Sequence, residues 1–121
     1  MKSKIIRALL GALTAAICLS GSAKASNTAG YGYIYGLYGT SNGAVLFSVK
    51  LDGSTRSGIP SCGSANTDRW ALDASTVPGQ AAVQVLMTAY QQHRPVFVNG
   101  TGTCTIWGDT ETVNFFNLAD M

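Results

Sequence analysis

Metal-binding motifs are missing from this 121-residue chain. It has one histidine, His93, and neither a CxxC nor an HExxH spacing. Cys62 and Cys104, the two thiols beyond the N-terminal segment, and one imidazole are spread too far apart to make a metal site, so no metal and no cofactor is expected. Charge is scarce too, at 12% of residues, and the Lys and Arg that follow the N-terminal segment are scattered, which argues against nucleic acid as a partner. Gly100-Thr-Gly102 is too short for a phosphate loop and opens no helix. Long internal repeats are absent.

The first 25 residues carry the strongest positive signal. Lys2, Lys4 and Arg7 precede an apolar run from Ile5 to Leu19, and Ala23-Lys24-Ala25 supplies the small residues of a cleavage site. Residues 1–25 therefore read as a signal peptide with Ser26 as the first mature residue, which predicts an exported protein, periplasmic or secreted. The run is short for a membrane span and lacks a stop-transfer flank, so no stable membrane insertion is expected. Ile17 before Cys18 disfavours lipid attachment.

Cleavage leaves one domain, residues 26–121. It also changes the sign of the charge: four of the eight basic residues depart, leaving four against six acidic ones. A core of this size is marginal, so a covalent staple matters. Cys62 and Cys104 are the two thiols left in an exported chain and are expected to form a disulfide. Closing that loop contributes about 4 kcal/mol in the chain-entropy model.

The pattern along the chain predicts a frayed start at Ser26–Gly30 and then a strand over Tyr31–Gly39, with Tyr31, Tyr33 and Tyr35 on one face. After turn residues Ser41-Asn-Gly43, the run Ala44–Leu51 alternates as a half-buried strand. Asp52–Thr67 is a loop and Arg69–Asp73 a short strand. Ser75 to Pro78 starts a helix reaching Arg94, with Ala82, Val83, Leu86, Ala89, Tyr90 and His93 as its apolar stripe. Val96–Asn99, Cys104–Trp107 and Thr112–Leu118 read as further strands. The fold expected is mainly β with one helix, a small OB-type barrel of five or six strands. An antiparallel sheet with one packed helix is the competing arrangement.

No catalytic residue is assigned. His93 belongs at the helix C-terminus as a dipole partner or boundary residue. Asp109 and Glu111 could pair as carboxylates, but Gly108 before them and Thr110 between them favour a solvated turn. The aromatics offer more. Tyr31, Tyr33, Tyr35, Tyr38 and Trp107 are the candidate binding residues, rings able to lie under a sugar while Asn, Ser and Thr bond its hydroxyls. Trp70 reads as a core filler. The Tyr stretch could equally pair as an edge with another subunit.

Cys62-x7-Trp70, the helix ending Thr88-Ala-Tyr-Gln-Gln-His-Arg94 and the strand Pro95-Val-Phe-Val98 resemble the B subunits of subtilase-cytotoxin-like and pertussis-like toxins over about Val45 to Val98. The resemblance implies an exported OB-fold subunit with one disulfide, assembled as a ring of five and binding host sialylated glycans through the side of its barrel. The Tyr/Gly-rich first strand departs from that family, so no glycan-contacting residue carries over. The expected function is non-catalytic binding of a glycan or partner subunit, with a possible homo-oligomer. The alternatives are a periplasmic structural or inhibitory protein docking by a strand edge, and a small hydrolase using Asp109 and Glu111.

Overall fold

The computed structural model describes residues 25–53 and 56–120, so the leader reading over residues 1–24 lies outside it. Five strands and one α-helix follow in the order β1 (Gly32–Gly39), β2 (Ala44–Leu51), β3 (Arg69–Asp73), α1 (Val77–Gln91), β4 (Val96–Gly100) and β5 (Glu111–Leu118). The strands are hydrogen-bonded in a ring, β1-β2-β3-β5-β4 and back to β1. All neighbours are antiparallel except β3 and β5.

Alternation in β2 sets the inside of the ring. Phe47 and Val49 join Ile34, Trp70, Leu72, Val96, Val98 and Val113 in one cluster, with Val45 and Leu51 packed against it. Helix α1 covers this cluster with Leu86 and Ala89, and Ala82 and Val83 border them. The helix starts where the Thr76 side chain accepts a hydrogen bond from Gly79 N, with proline in the first turn. Its start is pressed onto β3: a Cβ on Gly79 would lie 1.6 Å from the Asp73 carbonyl oxygen. The helix stops at Gln91, earlier than the predicted Arg94. His93 takes a φ of 50°, so it is turned off the helix axis, and Tyr90 lies exposed beside the apolar stripe rather than in it.

Strand β1 contains a bulge at Tyr35. Ile34 pairs with Val49 but Gly36 already pairs with Ser48. The extra residue reverses the inside–outside parity: Ile34 and then Leu37 pack against the core, while Tyr35 and Tyr38 both remain exposed.

Two expectations need correction. Ser26–Gly30 is not frayed: Ser26 and Thr28 are buried, Thr28 N donates to Val98 O at 3.0 Å, and Gly100 N donates to Ser26 O at 2.8 Å. This segment extends the β1 side of the ring along β4, beyond the single Gly32–Val96 pair. Cys104–Trp107 is not a strand. Thr105 N donates to the Thr112 hydroxyl at 3.2 Å instead of a ladder carbonyl, and Trp107 only closes a turn with Thr110, whose N–H donates to the Trp107 carbonyl at 3.0 Å. The Cys62–Cys104 disulfide is present, Cα atoms 6.2 Å apart, and ties this loop to the 3-10 turn at Ser61–Gly63.

Candidate functional site

Outward positions of β4 and β5 alternate aromatic and amide side chains. Phe97 pairs with Asn117 and Asn99 with Phe115, so rings and carboxamides form a chequered patch. Tyr31, just before β1, completes it across the ring. Its centroid lies 6.2 Å from that of Phe97, which lies 6.4 Å from that of Phe115. Asn117 Nδ2 donates to the Tyr31 hydroxyl at 2.9 Å, fixing the orientation of that ring, and Asn114 Nδ2 donates to Asn99 Oδ1 at 3.4 Å. Tyr31 is 46% and Phe115 52% exposed, an unusual exposure for side chains whose burial would contribute about 1.5–3 kcal/mol each.

The five sequence-nominated residues are not brought to one place. Tyr31 belongs to this patch. Tyr33 is half-buried, its ring stacked on His93 with centroids 4.3 Å apart, so the histidine that seemed a helix-end residue acts as a cover. Tyr35 is 56% exposed and stands at a cavity of about 500 Å³ that Lys50, Asp68 and Arg56 also line. Tyr38 reaches Arg69 at 3.5 Å, and Arg69 is ion-paired with Asp109 in the turn that Trp107 closes. Trp107 itself is half-buried.

The two carboxylates part company. Asp109 is exposed as expected, and its pKa is lowered: desolvation, the largest single influence, pushes it up, but hydrogen bonding from Thr110, the charge and hydrogen bond of Arg69 and the contact with Asn66 together outweigh it. Glu111, expected in a solvated turn, is fully buried. As the first residue of β5 it points inward opposite Trp70. Its Oε1 accepts from Gly102 N at 2.8 Å and Ser26 N at 3.0 Å, and its Oε2 accepts from Ser26 Oγ and Arg56 Nη2. The guanidinium of Arg56 lies over Trp70, 3.6 Å from the ring centroid, and donates to the carbonyls of Thr67 and Arg69. Burial lowers the Arg56 pKa, and the hydrogen bond and charge of Glu111 oppose that. Gly100 is required here, because a Cβ would meet Glu111 Oε1 at 2.3 Å. With every lone-pair direction of Glu111 occupied and Asp109 held outside by Arg69, the two carboxylates do not face a shared substrate.

Gly39-Thr-Ser41-Asn-Gly43 has the spacing of a nucleophile elbow but turns between β1 and β2 rather than into a helix, with Gly43 at φ 88°. Ser41 therefore lacks the elbow's context. No group of three or more metal-ligating side chains occurs among the described residues. Comparison of the chain with protein-family models, with curated proteins and with solved structures yields no match.

The Phe/Asn patch was readable in principle. Val96-Phe-Val-Asn99 alternates at strand period, and Phe115-Phe-Asn117 contains the facing outward pair. Ser26, Arg56 and Glu111 carry no local signal; only the closed ring joins them.

Proposed function

We propose that this chain is an exported binding protein of OB type that recognises a carbohydrate with the outer face of β1, β4 and β5. The observation that carries this reading is the row Tyr31, Phe97 and Phe115, interleaved with the carboxamides of Asn99, Asn114 and Asn117. Sugar rings present apolar C–H faces and equatorial hydroxyls together, and alternating rings and amides match both. The patch is almost free of formal charge, which suits a neutral glycan face better than an ionic ligand. Ring order, the parallel β3–β5 pair and a helix between β3 and β4 support the OB-type reading. The resemblance to toxin B subunits, which bind glycans through the side of the barrel, points the same way.

Assembly with further copies of the chain is a second reading. It is favoured by Val77, Val85, Met87 and Tyr90, which leave apolar surface exposed on α1. Light scattering on the folded protein reads this directly.

The deciding experiment is a glycan array probed with the mature protein, alongside a Tyr31→Ala, Phe115→Ala double variant. Binding to a defined set of glycans, lost in the double variant while its melting temperature is retained, supports the reading. A blank array with a folded wild type, or glycan binding that survives the double substitution, refutes it.

A further inference from the structure

Ser26, the residue expected to follow the leader, is wholly buried and is a hub of hydrogen bonds. Its N–H donates to Glu111 Oε1 at 3.0 Å, its hydroxyl donates to Glu111 Oε2 and accepts from Arg56 Nε at 2.7 Å, and its carbonyl accepts from Gly100 N at 2.8 Å. Ala25, one residue earlier, is exposed. Only one of these bonds involves the nitrogen that a cut after Ala25 would free, and that nitrogen already faces the buried carboxylate.

We propose that removal of the leader converts this neutral amide contact into an ion pair. The Ser26 α-ammonium becomes a third charged member of the Arg56–Glu111 cluster, and processing thereby locks the N-terminal segment onto β4. Hydrolysis breaks the Ala25–Ser26 peptide bond, with water as co-reactant and the exporting cell's leader peptidase as catalyst. The carboxylate leaves on Ala25 and the amine, protonated at neutral pH, stays on Ser26. Nothing else has to move, because the bonds through Ser26 Oγ and O do not depend on residue 25. Arg56 and Glu111 are the ionisable groups bonded to Ser26 among the described residues. Departure of the exposed Ala25 opens the new terminus to water, so the ammonium keeps part of its hydration while Arg56 stays stacked over Trp70.

The pH dependence follows from the sign of the contact. A carboxylate partner raises the α-amine above its ordinary range of about 7.7–8.0. The added stability is therefore complete below that range and is lost as pH rises through the raised value, to vanish near about pH 10.

This inference rests on the leader reading and is independent of glycan binding. The test compares the chain beginning at Ser26 with the same chain acetylated on its α-amine, by urea unfolding across pH 6 to 10. We expect a folding constant about tenfold larger for the free amine at pH 6, equivalent to about 1.4 kcal/mol, and no difference at pH 10. Glu111→Gln should remove the difference at pH 6. Equal stability of the two forms at pH 6, or a gap that persists unchanged at pH 10, overturns the ion pair. Should Glu111→Gln fail to fold, acylation of the wild-type α-amine at pH 7 gives the answer: about tenfold slower labelling than in a short Ser-Asn-Thr peptide supports the pair, and equal labelling overturns it. Intact mass of the exported protein tests the cut separately, and a first residue other than Ser26 overturns the processing step.

Discussion

The two polar regions of this molecule are built on opposite rules. The Ser26–Arg56–Glu111 cluster hides a carboxylate and a guanidinium from water and satisfies each with several bonds, whereas the Tyr31–Phe97–Phe115 patch leaves large rings in solvent with few constraints. Buried charge demands completeness, because one missing donor leaves an uncompensated ion in low dielectric. Exposed rings demand nothing for folding. Conservation of the fold therefore depends on the first region, and the capacity for contact on the second.

The sharpest way to break this contrast is to remove one side of the buried pair. Arg56→Ala leaves Glu111 buried without its cation and is expected to destabilise by about 3–5 kcal/mol, read as a large fall in the urea midpoint with little change in the cooperativity of unfolding. A loss under about 1 kcal/mol would mean that water reaches Glu111 and that the cluster is ordinary surface.

Replacing both Cys62 and Cys104 by serine comes next. The disulfide holds the β2–β3 loop, which carries Arg56, to the loop that leads into Glu111, so its loss should cost about 2–5 kcal/mol and weaken the cluster at the same time. In a double-mutant cycle with Arg56→Ala, a coupling of about 0.5 kcal/mol or more is expected; simple additivity would separate staple from cluster.

On the outer face the magnitudes shrink. Phe115→Ala should change stability by about 1 kcal/mol or less, the scale of a single cross-strand pair, while abolishing any glycan signal. Asp109→Asn should be smallest of all. The pair with Arg69 lowers the Asp109 pKa, so what it contributes is present at neutral pH and disappears as pH falls through that lowered value. A small fall in melting temperature at neutral pH, with wild type and variant converging in acid, is the expected result.

How much of this was legible in the sequence differs by region. Strands β1 to β5, the helix start at Thr76 and the disulfide follow from short-range pattern and cysteine arithmetic, because period-2 alternation and an N-cap are local properties. The helix end was overrun by three residues, since His93 looks apolar-compatible in a stripe and its positive φ is invisible in a sequence. Cys104–Trp107 imitated a strand, but the Thr105 N–H donates to the Thr112 hydroxyl instead of a ladder carbonyl. Glu111 was misplaced for a deeper reason. Gly108 and Thr110 describe its neighbours in sequence, but its environment is set by Ser26 and Arg56, brought in by ring closure. Of the tyrosines, only Tyr31 joined the patch, because its partners Phe97 and Asn117 lie on strands whose register a single strand cannot specify.

Closure of the ring also sets an order of events. Ser26 is bonded to Glu111 across 85 residues of sequence, and Thr28 to Val98 across 70. A chain made from its N-terminus holds β1, β2, β3 and α1 complete before these partners of Ser26 and Thr28 exist. Such long-range contacts carry the largest loop-closure entropy and form late. The segment around Ser26 is thus the last part of the ring to settle, and it stays open to whatever handles unfinished chains until the final tenth of the sequence has arrived.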